Sequence, residues 1–564
     1  MNFIQLAKDE TAKLIAAAYA RAQEAGTLPA MEGELVIPVE IPKDTSHGDY
    51  TSTFPMAAAK KLHMAPRKIA EAIVENLDIS GSYYDSVEIA GAGFINFTLG
   101  KKWYTDVITA VEEQGRDFAR TDGLAGRKMM VEFVSANPTG PMHMGNARGG
   151  VLGDCLAGIL SLAGADVTRE FLINDAGNQV EKFGVSLETR YLQLYPEYEN
   201  LEFPEDGYHG EDIITLAKRF KEQYGDEYLN AEPEARREAL INFGLGNNIP
   251  AMKRDLERYG IVYDNWFSET TLHEAGKVKE TVDFLTEKGY TYEKDGAIWL
   301  RTTDFGCEKD DVLRRANGFY TYFAVDIAYH YNKFVERGFD TVINVWGADH
   351  HGHVARLKAA CSAFGINPDR LEIILMQLVR LMQDGEVVRM SKRTGKTISL
   401  SNLLDDISVD AARFFFNMRA AETQMEFDLD LAVREDSENP VYYVQYAHAR
   451  ICSLIKMLAN DGVCVGSAKE LSLDLLSTEE EKSLIKRIAE LPNEMAMAAR
   501  DRDPSRVNKY LIDIAGDFHR FYNACRIRGE EAALAGARLK LAAVTRDIIA
   551  LGLDIIGVNA PESM

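Results

Sequence analysis

Residues 131–150 read VEFVSANPTGPMHMGNARGG, and no other stretch limits the fold as strongly. The β-branched run up to Ser135 is strand-like, the following Pro and Gly residues forbid regular structure, and an apolar helix follows His143. ARGGVLGDCLAGILSLAG forms that helix and stops at Gly164, and ADVTREFLIND supplies a second strand. Strand, helix and strand within about 45 residues make a βαβ unit, whose strands run parallel. The fold class expected is α/β: a doubly wound parallel sheet that takes its ligands at the carboxyl ends of its strands.

The quoted stretch lies at that edge. Gly145 and Gly149 allow close backbone approach, and the helix N-terminus behind them favours an anion. His143 and Asn146 offer side-chain donors to phosphate oxygens. Alone, so short a pattern is better read as a tight turn whose histidine caps. A second element, GEVVRMSKRTGKTISLSNLL (385–404), gathers Arg389, Lys392, Arg393 and Lys396 with two glycines and several hydroxyls. That composition suits charge developing on a leaving pyrophosphate, and also suits a solvated surface loop.

The remaining chain divides around this sheet. Residues 1–110 read as an α+β unit: ELVIPVEIP (34–42) is strand-like, 56–77 helical, and 83–99 two strands about a Gly turn. Residues 111–404 form the sheet domain. A polar helical insertion spans about 176–255, and further strands lie at TVINVWG (341–347) and LEIILMQLV (371–379). Residues 405–564 follow a helical period almost throughout, which implies an all-α bundle. A chain of 564 residues accommodates three such units. No apolar run reaches the ~18 residues of a membrane helix, and MNFIQLAKDETAKL lacks a signal peptide's basic start, so a cytoplasmic protein is expected. Six scattered cysteines without a C-x-x-C pair argue against zinc and against a disulfide framework. The formal net charge of −24 does not exclude nucleic acid, because acid clusters locally, as in AETQMEFDLDLAVREDSEN.

HMGN (143–146) and RMSKR (389–393), in this order, resemble the HIGH and KMSKS signatures of class I aminoacyl-tRNA synthetases. Within that class the chain resembles the arginyl-tRNA synthetases over nearly its whole length. The opening stretch, REFLINDAGNQV (169–180), DGYHGEDI, NPVYYVQYAHARICS (439–453), FHRFYNACRI (518–527) and GLDIIGVNAPESM (552–564) match that family's blocks in order. Two departures stand out. The last HIGH position is Asn146, which donates a hydrogen bond but cannot be protonated. Gly140 stands where some members carry a lysine before HIGH, and Lys392 is present instead.

The chemistry can be read beside the name. A guanidinium carries five donors and is best held by fixed carboxylates. Tyr322 and Asp326 are four apart, so both can face one site from a helix, and Glu269 is a third candidate. Their bland readings are a core aromatic, a helix-end charge and a solvated acid. The resemblance aligns Asn137, Glu269, Tyr322 and Asp326 with the family's arginine-binding residues, Asn137 at the amino-acid end. WGADHHGHVARLKAA (346–360) sets Gly347, Asp349, His350 and His353 after a strand. A zinc site there is the minority reading against an adenosine and amino-acid contact, and spacing leaves open which of Asp349 and His350 touches arginine. The resemblance implies ATP as substrate with Mg²⁺, no zinc, and transfer of arginine to the 3′-terminal adenosine of its tRNA. It assigns His143 and Asn146 to the triphosphate, Lys392 to the β- and γ-phosphates and Arg393 to ATP. For tRNA it implies Phe94 and Asn96 in GAGFINF. On the bundle it implies Tyr446, His448, Arg450, His519 and Arg526. A monomer without membrane attachment is expected. The competing readings are another class I synthetase such as the cysteine enzyme, a small-molecule nucleotidyltransferase, and a catalytically dead tRNA-binding paralogue. The first lacks its zinc ligands here. The second has no use for the flanking domains. The third would have lost Lys392 or the carboxylates.

Overall fold

The computed structural model describes residues 2–31, 34–388 and 398–564. At the N-terminus, α1 (Phe3–Glu24) is capped by the Asn2 carboxamide and packs beside a four-stranded antiparallel sheet. The sheet consists of β1 (Val39–Glu40), β2 (Tyr50–Ser52), β3 (Tyr84–Ala90) and β4 (Phe94–Leu99), in the order β1-β2-β4-β3. The helix expected over 56–77 is two, α2 (Phe54–Leu62) and α3 (Pro66–Glu75), because His63 turns left-handed at φ 51° and Pro66 opens a new helix. The strand expected over 34–42 is ladder-paired only at Val39 and Glu40. A further helix, α4 (Lys101–Gln114), leads out of this unit.

The central sheet comprises β5 (Lys128–Glu132), β6 (Asp166–Ile173), β7 (Asn265–Ser268), β11 (Thr341–Gly347) and β12 (Leu371–Met376), all parallel, in the order β12-β11-β5-β6-β7. The chain winds outward from β5 to β7 and returns to place β11 on the other side of β5. A topological switch point therefore lies between the carboxyl ends of β5 and β11. Helix α5 (Met144–Leu162) follows β5 and can approach the sheet only because it is glycine-rich: a Cβ on Gly153 would run into the Phe133 ring, and one on Gly150 would lie 2.8 Å from Ile261. The expected insertion consists of α6 (Asn178–Leu192), α7 (Glu211–Tyr224) and α8 (Pro233–Arg258). After β7 come α9 (Thr270–Glu274), α10 (Lys277–Glu287), a small antiparallel sheet of β8 (Thr291–Lys294), β9 (Ala297–Leu300) and β10 (Asp311–Arg314), and α11 (Tyr322–Tyr331). Helix α12 (His351–Ala363) joins β11 to β12.

A polar row crosses the buried sheet. Asn344 on β11, Glu132 on β5, Glu170 on β6 and Asn265 on β7 stand in register. Their partners come almost entirely from α11 and the π-helical turn Asn332–Glu336 that extends it. Lys333, fully buried, donates to Glu132 at 2.5 Å, and Arg337 grips both oxygens of Glu170 at 3.0 and 2.5 Å. Tyr329 and Asn265 also donate to Glu170, each at 2.6 Å. Burial pushes the Glu170 carboxyl up, but Arg337 and Lys333 outweigh it and hold the group below its ordinary range. Asn344 donates to His330 Nε2 at 2.9 Å.

The segment expected as one strand over 371–379 splits. β12 ends at Met376, and β13 (Val379–Gln383) joins a second small sheet with β14 (Glu386–Val387) and β15 (Met425–Asp428). Beyond residue 404 the chain is mainly helical: α13 (Leu400–Asp406), α14 (Val409–Phe416), α15 (Leu429–Ala432), then the bundle α16 (Pro440–Asn460), α17 (Glu479–Asp501), α18 (Ser505–Ala524) and α19 (Ala532–Ile555). Arg413 of α14 ties three of these parts together. Its buried guanidinium donates to the Asp154 carboxylate of α5 at 2.6 Å, to the Tyr259 carbonyl at 3.1 Å and to the Ile556 carbonyl at 2.9 Å.

Removing one member of a buried ion pair leaves the other charge without compensation. Lys333→Met should therefore lower stability by about 3–5 kcal/mol in chemical denaturation, and the double variant E132L/K333M should recover most of that loss.

Candidate active site

The HMGN turn fills the mouth of the switch point. His143 is the N-cap of α5: its Nδ1 accepts from the Gly145 amide at 3.1 Å, and Asn146 Oδ1 accepts from the His143 amide at 3.1 Å. A Cβ on Gly145 would lie 2.8 Å from the imidazole, which accounts for the glycine there. Gly149 needs no such exemption, since a Cβ would meet the Met376 side chain at an ordinary 3.6 Å. The capping that the short pattern suggests is thus real, and it has a chemical consequence. With Nδ1 accepting, the neutral ring carries its proton on Nε2, the donor that an anion at the helix end would meet. The turn is zipped to the residues that follow the RMSKR segment in the chain: Met144 donates to the Ile398 carbonyl at 3.0 Å and Leu400 to the Met142 carbonyl at 2.9 Å. Lys392 and Arg393, with Arg389 and Lys396, lie outside the described residues.

Beside this turn, the end of β5 is bent by Val134 and Ser135, both at positive φ (67° and 40°). A β-branched residue in that region stores strain, as site-forming backbone often does. Ser135 Oγ donates to Glu132 and accepts from the Leu172 amide, so the bend is fastened to the sheet's polar row. A cavity of about 210 Å³ opens below, lined by Ser135, Asn174, Asp326, Trp346, His350 and His353 among others. The Asn137 carboxamide accepts from Asn174 at 3.1 Å at its exposed rim.

Acid gathers at one end of the cavity. Glu269 stands at the N-cap position of α9 without a side-chain capping bond and is 7% exposed, and burial together with the Asp326 and Asp175 carboxylates pushes its pKa up to about 7. Asp175 holds this corner, accepting from Ser268 Oγ at 2.5 Å and from the Thr270 amide at 2.9 Å. Asp326 sits one turn into α11, where His353 donates to it at 2.6 Å. Tyr322, at the start of α11, is half exposed, and its hydroxyl accepts from the Asn178 amide at 3.0 Å. A cluster of carboxylates around a partly protonated one is a receptor for a cation such as guanidinium. Opposite, Gly347 closes β11, and a Cβ there would run into Asp349. Asp349 is largely exposed; His350 lies against Trp346 and lines the cavity. His353 is bonded to Asp326, and no group of three or more His, Cys, Asp and Glu placed to hold a metal forms among the described residues.

The outlying candidates part company. Tyr446, Arg450 and His519 form one patch on α16 and α18: Tyr442 stacks on Tyr446, His519 lies 6.2 Å from Tyr446, and Arg450 covers Tyr446 and Tyr522. His448 is turned inward instead, its Nδ1 bonded to the Pro561 carbonyl at 2.8 Å, and Arg526 stands exposed beyond the end of α18, outside that stack. Phe94 is exposed at the start of β4, whereas Asn96 is 8% exposed between Thr51 and Glu88. Asn174, Asp175 and Trp346 were not singled out by sequence reasoning. The polar Asn-Asp pair ending an apolar strand, in LIND, is the signal that pointed to the first two.

Three family descriptions match the chain. They are "Arginyl tRNA synthetase N terminal domain" over 9–99, "tRNA synthetases class I (R), catalytic domain" over 108–239 and 249–436, and "DALR anticodon binding domain" over 444–564. Among curated relatives, the arginine–tRNA ligases of Acetivibrio thermocellus and Caldanaerobacter subterraneus are 51% and 54% identical over 563 residues, covering 100% of each chain. The solved Thermus thermophilus arginyl-tRNA synthetase shares the fold with a TM-score of 0.71 at 21% identity, over 97% of this chain and 99% of that one.

A cation entering beside Glu269 should drive off its proton. Calorimetry in buffers of different ionisation enthalpy should show proton release on binding a guanidinium ligand, largest when pH is below about 7 and fading above it. Affinity should rise with pH through the same range, and Glu269→Gln should abolish the linkage.

Proposed function

The chain belongs to the arginyl-tRNA synthetase family, and on that premise we propose where on this molecule each step of arginine–tRNA ligation takes place. The enzyme couples arginine to ATP as arginyl-adenylate, releasing pyrophosphate, and passes the arginyl group to tRNA. The observation that carries the assignment of the site is one juxtaposition. A cavity lined by the Asp326 and Glu132 carboxylates opens at the carboxyl ends of β5 and β11, the switch point of a parallel sheet, and the chain leaving β5 there runs on to the capped N-terminus of α5.

In this reading the arginine guanidinium lies between Glu269 and Asp326, with Tyr322 over it, and Asn137 with Asn174 receives the amino-acid end. His350 and Asp349 border the amino acid and the adenosine. The arginine carboxylate attacks the α-phosphate while His143, through Nε2–H, and Asn146, through its amide, donate to phosphate oxygens. Gly145 and Gly149 belong to the helix end that receives the triphosphate, and Gly347 to the adenosine side. Lys392 and Arg393, outside the described residues, are assigned to the leaving pyrophosphate by their place in the RMSKR segment. The protein forms no covalent bond, so it acts by positioning and by stabilising phosphate charge. Mg²⁺ enters with ATP rather than in a protein cage.

The flanking units read the tRNA: 1–110 at its elbow through Phe94 and Asn96, and 405–564 at the anticodon. Support on the bundle is uneven, strong for Tyr446, Arg450 and His519 as a stacking patch and weak for His448 and Arg526. The sheet domain between them is 111–404, with its insertion at about 176–255. We place the enzyme in the cytoplasm as a monomer; no helix among the described residues is long and apolar enough to cross a membrane.

ATP–pyrophosphate exchange across the twenty amino acids, with and without total tRNA, tests the reading. Exchange with arginine alone, appearing or rising with tRNA, is expected; tight tRNA binding without exchange would leave a binding paralogue. His143→Ala should lower kcat about 100-fold with little change in KM for arginine, since its donor acts on phosphate charge.

A further inference from the structure

Behind the acidic corner lies a chain of side chains that the reaction itself does not use. Asp326 Oδ2 accepts from His353 Nε2 at 2.6 Å, and His353 Nδ1 accepts from Arg356 Nε at 2.5 Å. Arg356 in turn donates through Nη1 to Asp311 of β10 at 3.2 Å, and its guanidinium covers the Phe323 ring at 4.9 Å. The His353 ring is packed between Phe323 and Trp346, with centroids at 5.9 and 5.7 Å.

A guanidinium has only donors and does not give up its proton in proteins. The His353 nitrogen facing it must therefore offer a lone pair, so the single ring proton sits on Nε2 and points at Asp326. A second proton on the ring would set N–H against N–H. We propose that Arg356 and His353 are positioning residues for substrate recognition: Arg356 locks His353 as a neutral donor, and His353 aims Asp326 into the cavity without neutralising its charge. The inference rests on Asp326 being a guanidinium ligand. Its physical content is selectivity. An imidazolium beside Asp326 would be a resident cation competing with the substrate's own, whereas a neutral donor orients the carboxylate and leaves its charge to the ligand.

The charged and titratable groups around His353 come from four directions. Asp326 and His330 lie on α11, Asp311 on β10, and His350 ahead of α12. Glu269 and Asp175 stand beyond Asp326. His330 does not compete for the role. Burial keeps it neutral, Nε2 accepts from Asn344, and Nδ1 donates to the Asp326 backbone carbonyl at 2.8 Å.

The test is arginine-dependent exchange with tRNA present, comparing H353L, H353Q, R356Q, the double variant H353Q/R356Q, and D326N. H353L should raise KM for arginine about tenfold while KM for ATP and kcat change by less than about threefold, and H353Q, which keeps an N–H donor, should recover most of the loss. R356Q frees Nδ1 to take a proton. Its KM relative to wild type at the same pH should be raised at about pH 6.5 and approach one at about pH 8.5, while the ratio for H353Q/R356Q stays flat. Taking ratios cancels the titration of Glu269. A pH-independent ratio for R356Q, or an unchanged KM in H353L, overturns the proposal if D326N still raises KM. An unchanged KM in D326N removes the underlying reading of Asp326 and the proposal with it. Should the variants misfold, histidine ¹⁵N spectra of the wild-type enzyme decide: a neutral His353 with its proton on Nε2 is expected between about pH 6 and 8, and a doubly protonated ring there overturns the proposal.

Discussion

Two carboxylates placed side by side in the middle of a parallel sheet are the constraint on which this structure turns. Glu132 and Glu170 are register partners on adjacent strands, both buried. Unpaired, they would repel each other in a medium that screens poorly. The answer is one helix end. Lys333 and Arg337, four apart across the π-helical turn, deliver a cation to each, and Tyr329 and His330 complete the hydrogen bonding of the row. The tail of α11 is thereby hydrogen-bonded to three strands, β11, β5 and β6, which fixes where its head goes. That head carries Asp326 to the cavity, with Tyr322 one turn before it, so the placement of the Asp326 carboxylate follows from a clamp at the other end of the same helix.

The clamp also reaches the site from below. Ser135 bridges Glu132 and the Leu172 amide at the strained end of β5, and the chain then runs on to Asn137 and the capped turn at His143. The Arg413 junction does similar work at the middle of α5 by holding Asp154. The helix that presents His143 is therefore gripped at its N-cap by the Ile398–Leu400 segment and at mid-length by a buried arginine.

Much of this could be read in advance, and the exceptions share a cause. β11 was legible to the residue as TVINVWG because an apolar run bounded by polar residues is what a doubly covered strand requires. The spacing of Tyr322 and Asp326 and the glycine at 145 in the HMGN turn were legible for equally local reasons, whereas Gly149 was read as needed for close approach and is not. By contrast, LEIILMQLV looks like one strand because nothing local marks the point where β12 leaves one sheet and β13 joins another. His448 sits in an aromatic, basic stretch, yet it belongs to the carbonyl of Pro561, a partner 113 positions away. Glu132, Glu170, Lys333 and Arg337 look like surface charges in a list of residues. Only the strand register of the two glutamates, and the turn that brings Lys333 and Arg337 onto them, reveals the pairing. Side-chain pairing across distant segments is what one-dimensional periodicity cannot carry.

The Arg413 junction has a temporal side. Cys155 and Ile556 meet across 401 positions of chain, and the Ile556 carbonyl serves both the Cys155 thiol and the Arg413 guanidinium. A ribosome making this protein finishes α5 and its sheet long before that carbonyl exists. Until then the Arg413 guanidinium lacks one of its three partners, so the junction between α14 and α5 cannot be completed. The end of the last helix is thus also the closing stitch on the helix that follows the first strand of the central sheet.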